Sequence, residues 1–489
     1  MEEISNKSCF IRIKERLAQS SKLLLIDESG ELNQKEAFDI YIGAMNELSS
    51  LVKENDVCLF LPYLKKETVL ILSALVSIGA CIVVGDPKNP LDNQLPFIKE
   101  KTNIDATVFW QDGKWIIEKG SNSLTLSLTP QKLKVKPREI ASKEKPSFLV
   151  LTSGSSGINN VVALSEYSLI NHVVRQMNDV DFTNGCTYSC VPMNHVLGLA
   201  IYLHHLLLGK LIFISNSRNP LLALDTIEKY KCTSISNVPT FFYMLIEAQE
   251  KNPHDISSLK YGVIAGGGYT KEQFLNIEKK LGISLCSSYG MTEASTVITD
   301  SPASWPIEDR CIGVGKPFPD VDVVFKDDNN NIEPLKGEIC FKGYNLMLGY
   351  LEKDGLHLPL DEDGYFHTGD IGMIDDHGIY HIVDRKKNII IRGGENLSPI
   401  AIQNKIITID GIKDACVVGI PNKKYGEVVG AYLVSDVYKT LEEVKPLLSK
   451  VLLKNENPTI LIIDSKMPLL SNGKHDRMLI KSILAKENA

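Results

Sequence analysis

Between residue 147 and about residue 300, short β-branched runs alternate with segments of helical spacing. This alternation constrains the fold more than any other feature of the chain. "KLIFIS", "TSISNV" and "YGVIAGG" read as strands, and "PLLALDTIEKYK" and "TFFYMLIEAQEK" read as the helices between them. Strands separated by helices cannot close as tight hairpins. They lie parallel, with the crossover helices covering the sheet. The prediction is therefore an α/β fold. The stretch up to about Pro137 has the same character: "ETVLILSALVSIG" is helical, "CIVV" is a strand closed by Gly85, Pro87 and Pro90, and "NIDATVFWQ" and "KWIIEKG" are further strands. The longest apolar run, Val69–Gly85, spans only 17 residues and ends in "DPKNP". It predicts a buried helix and a core strand rather than a membrane span. Residues 130–146 are charged and bracketed by prolines, which predicts an exposed connector.

From 310 to 383 the pattern changes to short strands with Gly and Asn turns, predicting a small antiparallel β-subdomain. After Arg385 a compact α/β pattern follows: "NIIIRGG", "PIAIQNKIITI", "DACVVGIP", "VVGAYLVS", a helix near 440–453, and "TILIID". A chain of 489 residues is too long for one core. The expected organisation is a large N-terminal domain (1–383) of mixed parallel sheets flanked by helices, with the β-subdomain at about 310–383. A hinge at 384–387 joins it to a small C-terminal α+β domain (388–489).

The net charge of −7 argues against nucleic acid or an anionic membrane surface as the main partner. Ten cysteines are scattered without a C-x-x-C pair, and no histidine stands at finger spacing from Cys186 and Cys190. Buried, reduced thiols and a cytoplasmic setting are expected. The start, "MEEISNKSCFIRIKERL", lacks an apolar signal core, which argues against export.

The chemistry centres on "LVLTSGSSGINNVVALS", an apolar run entering a loop of small residues and leaving as another apolar run. Thr152, Ser153, Ser155 and Ser156 alternate with Gly154 and Gly157. Glycines let backbone N–H groups point inward, and the hydroxyls add donors, so the loop suits phosphate oxygens. A plain Ser/Gly-rich surface turn fits the same letters. The loop is neither a G-x-x-x-x-G-K phosphate loop nor a G-x-S-x-G elbow. Four other segments bear on the choice. "SSYGMTEAS" offers an aromatic face for a purine (Tyr289), a donor for phosphate (Thr292) and a hard oxygen for Mg²⁺ (Glu293). "FHTGDIGMID" presents Asp370 after a Gly turn, where a carboxylate can accept from both ribose hydroxyls. "VDRKKNIIIRGGENLSP" carries Arg385, and "PLLSNGKHDR" carries Lys474 in a Gly-containing turn. Each alone reads as a surface residue; together they read as a nucleotide site with a movable cation.

With these motifs in order, the chain resembles the adenylate-forming superfamily of acyl-CoA synthetases, beetle luciferases and peptide-synthetase adenylation domains, over about residues 60 to 480. "DPKNP", "TSGSSG", "PMNHVLGL", "SYGMTE", "GEICFKGYNLMLGYL" and "VVGIPNKKYGEVVGAYLV" carry the likeness. The resemblance implies two steps: a carboxylate attacks the α-phosphate of ATP, and a thiol then displaces AMP from the acyl-adenylate. It implies that Thr152, Ser153, Gly154, Ser155, Ser156 and Gly157 cradle the β- and γ-phosphates, and that Tyr289 and Gly290 meet adenine. Thr292 would bind the α-phosphate, Glu293 would hold Mg²⁺, and Asp370 and Arg385 would bind ribose. Lys474 would bridge the acid and the α-phosphate, and His195 would gate the acid pocket. Gly266, Gly267 and Gly268 would form the pocket floor or adenine edge. Lys387 matches the family's hinge, and Gly393 and Gly394 the thiol tunnel. His204 and His205 read as structural.

The chain also departs from the family pattern. Asn160 stands where a lysine usually meets the phosphates, Ala401 stands at a usual glutamate, and Ser287 stands where many members carry Asn or Gln beside adenine. Retention of Glu293, Asp370, Arg385 and Lys474 together favours an active enzyme over a non-catalytic nucleotide-binding relative. "MNHVLGLAIYL" has no acidic residue to meet an ammonium group, so a fatty or aromatic acid is expected rather than an amino acid. CoA is the expected thiol, and phosphopantetheine on an acyl carrier protein would present the same group.

Overall fold

The alternating segments form the middle of a nine-stranded sheet in a computed structural model that describes residues 3–89, 91–152, 160–176, 185–469 and 475–487. Leu23–Asp27, Ile212–Ile214, Cys186–Ser189, Cys232–Asn237, Tyr261–Ala265 and Ser284–Tyr289 lie side by side in that order, all parallel. Antiparallel strands close both edges: Gly30–Asn33 on one, Thr299–Ser301 and Lys316–Pro317 on the other. The helices Pro220–Tyr230, Pro239–Lys251 and Lys271–Leu281 are the crossovers. Their starts are written locally. Asn219 accepts from Leu221 N–H ahead of a first-turn proline, and Thr270 with Gln273 forms a reciprocal capping box. Phe213, Ile235, Phe242, Phe274 and Leu285 fill the core against one face of the sheet.

A second nine-stranded sheet contains Val57–Phe60, Cys81–Val84, Ala106–Gln111 and Pro146–Thr152 as its parallel centre. The long apolar run resolves as expected into helix Thr68–Ser77, buried on every side, and strand Cys81–Val84. All ten cysteines are free thiols, and all but Cys81 are fully buried. No helix among the described residues is long and apolar enough to cross a membrane.

The region expected as one β-subdomain (310–383) divides. Lys316–Pro317 joins the first sheet, while Gly349–Glu352 pairs with Asn160–Ser165 and Gly355–His357 extends the second. Val321–Lys326, Ile332–Glu333, Lys336–Gly343, Phe366–Ile374 and Tyr380–Arg385 form a separate five-stranded sheet. A last sheet is built on the long hairpin Asp414–Asn422/Gly426–Val434, with Ile460–Asp464 added in parallel.

The chain divides into two compact units: Met1–Asp322 with Lys342–Leu360, and Val323–Phe341 with Asp361–Ala489. Residues 384–387 lie within the second unit. There the buried Asp384 carboxylate accepts from Ser398 Oγ at 2.7 Å and Ile400 N–H at 2.8 Å, which ties strand Tyr380–Arg385 to the start of helix Pro399–Ile407.

Candidate active site

In the first unit, the register of the parallel strands brings several expected residues to one edge. Ala265 pairs with Ser288, so the chain leaves strand Tyr261–Ala265 at Gly266 beside the point where Ser284–Tyr289 ends at Tyr289. The carboxyl ends of parallel strands are where open α/β sheets hold ligands. Gly266, Gly267 and Gly268 are all exposed there. Gly266 has φ +75°, and a Cβ on Gly268 would meet no protein atom within 4 Å. His195 is the N-cap residue of helix Val196–Leu208. Leu197, in the first turn of that helix, packs on Val263, Ala265 and Cys286. Thus the three glycines and Tyr289 leave adjacent strand ends, and the helix that His195 caps packs on the same two strands.

The loop hairpin is tied to the same region. Thr152 pairs with Asn160 at the end of the antiparallel strands Pro146–Thr152 and Asn160–Ser165. Tyr350 pairs with Val162, and its hydroxyl donates to Glu293 Oε1 at 2.8 Å. The Met347 N–H donates to the Glu293 carbonyl at 2.9 Å, and Leu348 N–H to the Ala163 carbonyl at 2.8 Å. Residues 347–350 therefore hold the expected metal carboxylate and the hairpin of the expected phosphate loop in one framework. Ser153–Gly157 lie outside the described residues, as does Lys474.

The turn after Tyr289 has unusual backbone. Thr292 is half-buried at the start of the short 3₁₀ segment Thr292–Ala294. Ser295 follows at φ +52° and Thr296 at φ +134°, the latter an outlier for a β-branched residue. Three residues that sequence reading left without a role hold this turn. Gln176 donates to Thr296 Oγ1. The buried Asn345 side chain donates to the carbonyls of Ala294 (3.1 Å) and Val297 (3.2 Å). His172 Nε2 accepts from Val297 N–H at 3.1 Å, while its Nδ1 meets Tyr344 Oη at 3.1 Å. Asn345 and Tyr350 sit inside the quoted "GYNLMLGYL", so their motif was visible. His172 carried no signal at all. The missing side chain of Gly290 leaves room for the chain's own Thr296 carbonyl. Ser287, at the position where many members carry Asn or Gln, is fully buried with its hydroxyl donating to the Gly313 carbonyl at 3.1 Å.

Burial pushes His172 and His205 down to about 3. In the unfolded chain each titrates near 6.5. Above that pH neither state binds the proton. Below it the unfolded chain does and the native chain does not, so stability falls as pH drops from 6.5 toward 3. Each histidine contributes a slope of about 1.4 kcal/mol per pH unit in that window. A urea midpoint clearly lower at pH 5 than at pH 6.5 is the expected outcome; an unchanged midpoint contradicts the neutral assignment. His205, bonded to Thr187 Oγ1 at 2.9 Å and the Ile201 carbonyl at 2.8 Å, is structural as expected.

In the second unit, Asp370 and Arg385 are cross-strand partners, with Arg385 Nε 2.6 Å from Asp370 Oδ1. Asp370 is 3% exposed, whereas the Arg385 side chain is 44% exposed. Lys387 lies in the short 3₁₀ turn Lys386–Asn388. Burial and then the Arg385 charge push it below the usual lysine range, with Arg477 adding to the effect. Gly393 and Gly394, at φ +61° and +89°, form the two-residue turn of the hairpin Ile390–Arg392/Glu395–Leu397, and both positions require the left-handed region.

Among the described residues no group of three or more His, Cys, Asp or Glu could cage a metal. Mg²⁺ takes one or two carboxylates and completes its shell with water and substrate phosphates, so a single carboxylate such as Glu293 could hold it.

The AMP-binding enzyme family matches residues 46–351. The chain belongs to that family, the adenylate-forming enzymes of acyl-CoA synthetase type. The acyl-CoA ligase sidI of Aspergillus fumigatus is 32% identical over 363 residues, covering 69% of this chain and 61% of that protein. The 2-succinylbenzoate–CoA ligase of Enterococcus faecalis is 29% identical over 337 residues, covering 68% of each. The chain spans about three fifths of the length of several curated relatives it matches. ATP-bound MatB from Rhodopseudomonas palustris superposes with a TM-score of 0.87 at 22% identity, covering 99% of this chain and 100% of that one. MenE from Bacillus subtilis in complex with ATP and magnesium gives 0.82 at 20%, covering 97% and 99%. At these identities the likeness is one of fold, and it bears out the α/β architecture with a smaller second domain.

Proposed function

We propose that this protein is an ATP-dependent, AMP-forming acid–thiol ligase. An acid carboxylate oxygen attacks the α-phosphorus of ATP and pyrophosphate leaves. The thiolate of CoA then attacks the acyl carbon and AMP leaves. The observation that carries this reading is the framework of residues 347–350, which joins Glu293 to the hairpin of the Thr152–Gly157 loop. Glu293 would hold Mg²⁺, whose charge neutralises phosphate oxygens. Tyr289 would cover adenine, Thr292 would donate to the α-phosphate, and Asp370 with Arg385 would take the ribose. His195 and Gly266–Gly268 border the acid pocket, Lys387 is the pivot of a 384–387 hinge, and Gly393 and Gly394 line the thiol path. The acid is fatty or aromatic, because helix Val196–Leu208 presents no acidic residue for an ammonium group and is buried over most of its length. Ten free cysteines suit a cytoplasmic setting.

The test is acid-dependent exchange of pyrophosphate into ATP over a panel of fatty and aromatic acids, followed by thioester formation with CoA. Exchange with one acid class and thioester with CoA is the expected result. ATP binding without exchange on any acid would identify a non-catalytic nucleotide-binding relative. Exchange followed by transfer only to a carrier-protein phosphopantetheine would replace CoA as acceptor.

A further inference from the structure

The strand carrying Asp370 is irregular where Asp370 sits. Cys340 pairs with His367 and Glu338 pairs with Ile371, so Thr368, Gly369 and Asp370 together oppose the single residue Ile339. This is a bulge, a device that re-aims a side chain and leaves backbone groups without ladder partners. Thr368 Oγ1 donates to the Ile339 carbonyl at 2.7 Å and accepts from Asp370 N–H at 3.1 Å. Gly369, at φ +73°, donates its N–H to Glu338 Oε1 at 3.0 Å. The other oxygen, Glu338 Oε2, takes Lys386 Nζ at 3.0 Å and His367 Nδ1 at 3.2 Å. Lys386 directly follows Arg385 and also reaches Asp328 at 2.8 Å.

Burial opposes a charge on Glu338, but Lys386 and His367 outweigh it and hold the carboxyl below its usual range. The carboxylate is 7% exposed and ionised at neutral pH. It is braced from behind, because His367 Nε2 meets Asp361 at 3.1 Å and Asp361 pairs with the fully buried Lys326 at 2.6 Å. One carboxylate thus fastens both strands of the ribose pair: the residue before Asp370 through its N–H, and the residue after Arg385 through its ammonium.

We propose that Glu338 is a positioning residue for ribose recognition, fixing the bulge so that the Asp370 carboxylate meets the sugar hydroxyls. This rests on the assignment of Asp370 and Arg385 to ribose. A buried carboxylate that only stabilised the sheet would, when replaced, change stability or overall activity without changing which sugar is preferred. Positioning predicts a specific loss. Glu338→Ala should raise the KM for ATP about tenfold, which corresponds to about 1.4 kcal/mol, and leave the KM of the acid unchanged. Its preference for ATP over 2′-deoxy-ATP and 3′-deoxy-ATP in kcat/KM should collapse toward unity. Glu338→Gln keeps an acceptor for Gly369 N–H but loses the Lys386 pair, so it should fall between wild type and Glu338→Ala. Lys386→Met attacks the same bridge from the other strand and should shift the preference in the same direction. Calorimetric titration with ATP and the deoxy nucleotides gives the same comparison without turnover. Wild-type preference retained in all three variants overturns the role of Glu338. A wild type that itself treats ATP and the deoxy nucleotides alike overturns the ribose assignment beneath it.

Discussion

Gly290→Ala is expected to abolish measurable pyrophosphate exchange and to destabilise the fold by more than about 3 kcal/mol, beyond ordinary overpacking. A Cβ at this position would lie 1.6 Å from the Thr296 carbonyl oxygen, 2.6 Å from its carbon and 2.7 Å from Val297 Cα. All three are backbone atoms, so no side-chain rotation relieves the clash. Nor can the backbone drift freely. Ile298 N–H is held by the Tyr289 carbonyl at 2.8 Å, Val297 N–H by His172, and the carbonyls of Ala294 and Val297 by Asn345. The turn must break some of these bonds to admit a methyl group, and Thr292 and Glu293 move with it. A displacement of about 1 Å at reacting groups costs on the order of a hundredfold in rate. Thermal unfolding and exchange on the same preparation check both effects. Wild-type values in each would mean that the turn adopts another course.

Lys474→Ala is expected to lower adenylation by roughly a hundred- to a thousandfold while sparing thioester formation from supplied acyl-adenylate. A positive charge matters most where negative charge builds up in the transition state, and loss of one such group typically costs about 3–4 kcal/mol. In the second half-reaction the α-phosphate is part of a leaving group already formed, so the same lysine has less to offer. The substitution should not disturb the fold. The described neighbours are anchored without it: Leu469 and His475 form a bridge, Asp476 N–H donates to the Pro468 carbonyl at 2.9 Å, and His475 Nε2 pairs with Asp414 Oδ2 at 2.9 Å. Burial disfavours charge on His475, yet Asp414 and Cys416 push it up to about 9, so the pair is ionic at neutral pH. Single-turnover measurement of each half-reaction decides the matter. Equal losses in both would remove Lys474 from the adenylation step.

Much of the architecture is legible in the sequence alone. The alternation of β-branched runs and helical segments reports local periodicity, and a parallel sheet with crossover helices follows from it wherever the periods are clean, as at Ile212–Ile214 through Ser284–Tyr289. Caps are equally local: Asn219 before Pro220, and Thr270 three residues before Gln273, mark helix starts within a single turn of chain. The order of the short motifs, from the Thr152 loop to Lys474, is also a property of the sequence alone and was enough to name the superfamily.

Pairings between distant segments are a different matter, because nothing in local spacing encodes which strand lies beside which. Residues 349–357 look like any other short glycine-bounded strands, yet they leave the β-subdomain to pair with Asn160–Ser165 and so deliver the Tyr350 hydroxyl to Glu293. "TGD" reads as a turn; only the register against Lys336–Gly343 makes it a bulge whose free N–H belongs to Glu338. Gly290 announces that something comes close, and only the tertiary structure says that it is Thr296. The sequence therefore determined the chemistry available and the layers that carry it. The tertiary structure alone decided which buried groups brace the reactive ones. Such bracing is made by hydrogen bonds and ion pairs between residues far apart in the chain, and their geometry exists only once the sheets have formed.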